Sequence, residues 1–97
     1  MIYQGLPIQL TDEYGAIVVY CKPELQGWIV TVEDYRAHVV ERVDGDRAFY
    51  AAIFSRLRPK NYSVELGNFH DADVTVFPNN ITEVDWRNEE TPSRYLP

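Results

Sequence analysis

Residues 51–66 read Ala-Ala-Ile-Phe-Ser-Arg-Leu-Arg-Pro-Lys-Asn-Tyr-Ser-Val-Glu-Leu. An apolar run ends at Leu57, a polar corner holds Pro59 and Asn61, and alternation resumes at Tyr62, Val64 and Leu66. Alternation of period two is the signature of a half-buried strand, so the stretch reads as strand, tight corner, strand. Pro59 pre-sets the bend, and Leu57 and Tyr62 are expected to point inward.

The same reading extends in both directions. Ala16–Cys21 is rich in β-branched residues without polar alternation, which suits a central strand covered on both faces. Pro23 and Gly27 break it, and Trp28–Glu33 resumes, with 34–37 as a short connection. His38–Val43 alternates, and Asp44-Gly45-Asp46 is the strongest hairpin signal, tolerating the positive φ angles of a type I′ turn. Ala48–Phe54 returns from it. Past the corner, Tyr62–Leu66 is a strand, 67–72 a connection, and Asp73–Phe77 and Ile81–Arg87 a second hairpin around Pro78-Asn79-Asn80. No segment places apolar residues at helical spacing over a helical length without a competing strand signal. Strands recurring every 8–12 residues or so, with turn residues between them, predict an all-β antiparallel sandwich of about seven strands. The expected organisation is one domain over residues 1–88 and a polar tail over 89–97.

The chain has 97 residues, 45% hydrophobic and 13% aromatic, enough apolar surface for one core without disulfides. Fifteen acidic against nine basic side chains give a net charge of −6, which repels nucleic acid and anionic membranes. The N-terminus has no basic region leading into an apolar stretch, and no apolar run approaches the roughly 20 residues of a membrane helix. The expectation is a cytoplasmic protein. The single cysteine, Cys21, lies in the apolar run and reads as a packed core thiol.

Leu57-Arg58-Pro59-Lys60-Asn61-Tyr62-Ser63-Val64 resembles the Leu-x-Pro-Gly-x-Tyr-x-Val corner of prealbumin-like β-sandwiches, among them carboxypeptidase regulatory-like domains and the B-type repeats of collagen-binding surface proteins. Val74–Asp85 resembles their final hairpin. The resemblance implies a Greek-key sandwich. It also implies a stand-alone bacterial member of a superfamily whose longer members use the fold as a stalk or accessory module. Lys60 stands where the family has glycine; if that position needs positive φ, lysine costs about 1 kcal/mol there, unless the turn shifts to Asn61. The enzymatic branch, the transthyretin-like hydroxyisourate hydrolases, carries an N-terminal histidine and a C-terminal Tyr-Arg-Gly-Ser. Here no histidine precedes His38 and the chain ends Ser93-Arg94-Tyr95-Leu96-Pro97, so that motif is missing. Only Lys22 and Lys60 are present to form the isopeptide bonds of the surface-protein branch, and neither falls clearly in a strand.

Few constellations carry chemistry. His70 and Asp73 are metal-capable and close in sequence, but two ligands fall short of the roughly four of a structural site, and a solvated polar turn is the simpler reading. His38 and Glu41 fall on opposite faces of a strand. No Gly-x-Ser-x-Gly, P-loop or dinucleotide motif is present, and no cofactor is implied. The aromatics are the informative set. Strand 48–54 is bulky on both faces, Phe49 and Ile53 on one and Tyr50 and Phe54 on the other. Either a terminal segment covers its outer face, or the face is an exposed patch for a partner. The expected function is a non-catalytic interaction module acting through protein–protein contact, with Tyr50 and Phe54 as the patch. It would self-associate through that face or through an edge strand. The alternative is a small-ligand or carbohydrate-binding module that uses exposed aromatics.

Overall fold

A computed structural model describes residues 8 and 10–89. Eight strands are present among them: β1 (Gly15–Cys21), β2 (Ile29–Val32), β3 (Tyr35–His38), β4 (Val40–Asp44), β5 (Arg47–Leu57), β6 (Lys60–Leu66), β7 (His70–Val76) and β8 (Ile81–Asp85). A single 3-10 turn at Pro23–Leu25 interrupts them, where Pro23 has no N–H to give a ladder. The strands form two four-stranded sheets, in the orders β4-β5-β1-β8 and β3-β2-β6-β7. The pairing is antiparallel except between β1 and β8, which run parallel. The fold is therefore all-β with two facing sheets, and the expected tail lies almost wholly outside the described residues.

Alternation assigns the faces. Ile17, Val19 and Cys21 on β1, Ala52 and Phe54 on β5, and Val84 on β8 point into the core between the sheets. Val30, Val32, Tyr62, Val64, Leu66 and Val76 meet them from the second sheet. The other face of β1 is buried as well: Ala16, Val18 and Tyr20 form a second cluster with Ala51, roofed by Ile8 at 2% exposure. This is the covered central strand that the unalternating run Ala16–Cys21 predicts.

The corner behaves as its residues require. Leu57 and Tyr62 are buried, and the Tyr62 hydroxyl donates to the Arg58 carbonyl oxygen at 2.7 Å, bracing the passage from β5 to β6 in the opposite sheet. Lys60 opens β6 opposite Val76 and has no left-handed backbone. The left-handed residue is Arg56, at φ 59, where Ala16 faces the two-residue bulge Ser55-Arg56 between the pairs Gly15–Leu57 and Ile17–Phe54. The strain expected at Lys60 therefore does not arise, and the positive φ of this stretch falls in a bulge four residues earlier.

Three local expectations are corrected. Residues 34–37 are not a connection: Glu33 takes φ 52, the chain turns over Glu33-Asp34, and β3 pairs back on β2 from Val32–Tyr35 onward. That extra strand raises the count from about seven to eight. The stretch expected as one strand over 38–43 divides at Val39, whose N–H and C=O bond Trp28 and Gly27, both at 2.8 Å, before the chain changes sheets. Finally, 73–77 and 81–87 do not form a hairpin. β7 pairs with β6 and β8 with β1, so Pro78-Asn79-Asn80 carries the chain from one sheet to the other. Asn79 N–H donates to the Tyr14 carbonyl at 3.0 Å and Ala16 N–H to the Asn80 carbonyl at 3.1 Å. At Asp44–Arg47 the expected hairpin forms, but only its first turn residue, Gly45, has positive φ (67°), as a type II′ turn requires.

The crossing after β7 passes so close to the start of β1 that Gly15 has no room for a side chain. A Cβ there would overlap the Phe77 carbonyl oxygen and lie 2.6 Å from Val76 Cγ1. Gly15→Ala is expected to lower the unfolding free energy by about 2–3 kcal/mol, as forced overpacking does. Urea denaturation checks this, and an unchanged midpoint would contradict the close approach.

Candidate interaction surface

The outer face of the β4-β5-β1-β8 sheet is graded. At one end, Ile8 and Leu10 cover Val18, Ala51, Ile53 and Ile81. At the other, the β8 residues Glu83 and Asp85 lie beside Tyr20 and Arg87 in a shallow cleft that Arg47 and Phe49 complete. The Tyr20 hydroxyl donates to Glu83 Oε2 at 2.5 Å. Arg87 grips Asp85 through Nε at 2.9 Å and Nη2 at 2.7 Å, and its guanidinium lies 4.7 Å from the centroid of the Tyr20 ring. Hydrogen bonding from Arg87 pulls the Asp85 carboxyl down to about 2, leaving a fixed anion that carries no proton near neutral pH.

The structure separates the residues that the sequence groups together. Phe54 does not face outward: it is 5% exposed and belongs to the core between the sheets. Tyr50 shares that inward face and packs against the same core, its hydroxyl 3.4 Å from Glu41 Oε2. Partial burial, followed by the Glu41 carboxylate, raises its phenol. The outward residues of β5 are Phe49 and Ile53, the other half of the alternation, and they pack with the cluster that Ile8 roofs. Covering by the N-terminal segment is what the structure shows, not an open Tyr50/Phe54 patch.

His70 and Asp73 fall on β7, not in a turn, so the period of two sends them to opposite faces. The His70 ring lies inward, 5.2 Å from Trp86, while Asp73 is exposed. No group of three metal-capable side chains occurs among the described residues. His38 and Glu41 lie on different sheets. Cys21 is buried, and desolvation, with the Asp85 charge second, pushes its thiol up to about 12.

Sequence reasoning missed a different surface. β3 and β4 are each the terminal strand of their sheet and follow one another through buried Val39. Residues 35–44 thus form one ribbon along one side of the sandwich, with an open edge in both sheets. Tyr35 is 55% exposed on it, Val40 41% and Val43 63%. Val43 faces Ala48 on the inward side of its sheet, yet stays bare because the β4–β5 hairpin runs past the cover of the second sheet. At the start of the ribbon Lys60 reaches Glu33 at 2.8 Å, tying the β2–β3 turn to β6. That pair is largely solvated and worth at most about 1 kcal/mol.

Fold and surface together define a two-sheet β domain with an exposed apolar ribbon at one edge. No protein-family model, curated protein or solved structure matches the chain. No helix among the described residues is long and apolar enough to cross a membrane.

Two outcomes test the electrostatics. A depressed folded pKa means that Asp85 contributes stability above its ordinary value of 3.8 and that the contribution is lost as pH falls through about 2. Because both side chains of the pair are about half exposed, that contribution is at most about 1 kcal/mol. The carboxyl carbon of Asp85 is expected to titrate near 2 by NMR and to return toward 3.8 in Arg87→Met; a midpoint unmoved by the substitution counts against the pair. The Cys21 thiol is expected to resist aromatic disulfide reagents at pH 8 in the native protein and to react at the rate of global unfolding. Prompt labelling would show the thiol to be accessible.

Proposed function

We propose that this protein is a non-catalytic β-sandwich interaction module that acts through protein–protein contact, with the ribbon Tyr35–Asp44 as its contact surface. One observation carries the reading: of the four large apolar side chains exposed among the described residues, three (Tyr35, Val40 and Val43) lie on that ribbon. A strand edge offers unpaired N–H and C=O groups that a partner strand can complete, and exposed apolar side chains beside it add area to the contact. The net charge of −6 favours a partner that is not a polyanion.

For the finer fold we infer Greek-key connections of prealbumin type. The support is the braced Leu57–Tyr62 corner and the non-consecutive neighbours β1–β5 and β2–β6. The carbohydrate or small-ligand reading has less behind it. The exposed rings among the described residues, Tyr35 and Phe77, lie on β3 and just beyond β7, the opposite edges of one sheet. They do not make a stacking platform.

A photo-crosslinking residue placed at Val40 or Val43 is expected to yield a protein adduct of discrete mass in cells. The same residue at the exposed Asp73 of β7 is expected to yield none. Equal yields at all three positions, or no adduct at Val40 and Val43, would overturn the assignment.

A further inference from the structure

The β4 edge, Val40-Glu41-Arg42-Val43-Asp44, complements itself in one register only. We propose that two copies of this chain pair antiparallel along β4 about a two-fold axis at Val43, joining two four-stranded sheets into one of eight strands. This rests on the ribbon reading above and names the partner for it.

The register follows from the hairpin. Asp44 faces Arg47 across a two-residue turn. Such a turn closes on a pair that exchanges both N–H···O bonds, and an antiparallel ladder alternates from there. Asp44, Arg42 and Val40 therefore direct their main-chain groups to β5, while Val43 and Glu41 direct theirs to the open side. A two-fold axis that continues a sheet stands normal to it and keeps each face on its own side, so one residue must face its own copy. An axis at Glu41 or at Asp44 opposes two carboxylates, and an axis at Arg42 opposes two guanidiniums. An axis at Val40 would need main-chain bonds between Glu41 and Val39 of the partner subunit, and the N–H and C=O of Val39 are already spent on Trp28 and Gly27.

Only an axis at Val43 opposes no like charges and calls on no main-chain group already in use. That register also places Arg42 opposite Asp44 of the partner subunit, and Asp44 opposite Arg42 of the partner subunit, on the outer face. Neither residue forms an ion pair within the described residues, and the buried Arg42 Nε has no hydrogen-bond partner there. The two exposed Val43 side chains would cover one another on the inner face.

No other edge offers such a match. Arg36 on β3, Asp71 and Asp73 on β7, and Glu83 and Asp85 on β8 give each of those strands charge of one sign. A strand whose charges are all of one sign cannot set opposite charges of its own across a two-fold seam, and like charge along an edge is a usual way it is kept from self-association.

Sedimentation and light scattering over micromolar to millimolar protein test the proposal, with circular dichroism as the control for folding. The intact chain is expected to dimerise. Arg42→Asp and Asp44→Arg are each expected to weaken the dimer about tenfold, because each turns two favourable cross-strand pairs into like-charge pairs. The double reversal is expected to bring the dissociation constant back to within about threefold. Asp44→Arg also faces Arg47 within the chain, and the double variant keeps that clash, so recovery reads the contact between subunits alone. A short bis-maleimide is expected to link Val43→Cys into dimers and to leave Asp73→Cys monomeric, with the buried Cys21 silent. A monomer at every concentration overturns self-pairing, as does a dimer that the double reversal does not restore or one linked equally at Asp73. If that monomer still gives an adduct with a different protein from Val40 or Val43, the interaction reading stands and only the identity of the partner fails. A monomer with no adduct removes both.

Discussion

Everything in this fold depends on the burial of β1 from both sides. All seven residues of Gly15–Cys21 are buried, and none carries a charged side chain. A strand of that kind is stable only with ladders on both edges and cover on both faces. β5 and β8 supply the ladders. The second sheet covers one face, and Ile8 roofs the other. Gly15 at its start shows how tight the enclosure is, since the crossing from β7 to β8 leaves no space for a methyl group.

Much of this was legible in residue types and little of it in residue order. Period-two alternation gave the faces of β6 and β8 correctly, and the unalternating run gave β1, because both reflect burial of the strand's own side chains. The corner was legible because proline and an inward tyrosine act locally. Pairing was not. The Val74–Asp85 stretch reads as a hairpin because two strands flank turn residues, but the same turn chemistry serves a crossing between sheets. The difference lies in distant bonds from the crossing to Tyr14 and Ala16. The Glu33-Asp34 turn was missed for a related reason. Glutamate rarely takes φ near 52°, and its place there is stabilised by pairing of the strands on either side and by the link to Lys60.

The surface shows the same division. Alternation correctly separated Phe49 and Ile53 from Tyr50 and Phe54, but nothing in a strand's own sequence says which of two apolar faces meets the second sheet. The sequence expectation puts the larger aromatic pair, Tyr50 and Phe54, outward, and the structure places it inward. Val40 and Val43 carried the opposite problem. They read as ordinary strand residues, but Val43 is bare where the second sheet stops, and Val40, opposite Ala51, is exposed on the outer face at the sheet's edge. That is a property of the assembled sandwich, not of residues 38–43.

Val39 links these observations. It is fully buried, and it spends both main-chain groups on Gly27 and Trp28 before the chain leaves for the other sheet. The switch makes β3 and β4 outermost in their respective sheets, so one buried valine sets two open edges end to end. A chain that merely tolerated those edges would be expected to line them with charge of one sign, as β7 and β8 are lined with acids. β4 instead carries both signs around an exposed valine, an arrangement that favours one antiparallel register of this strand with itself and opposes the others. The proposed contact surface is thus a consequence of how the two sheets are joined, and the specificity proposed for it rests on the five residues of β4.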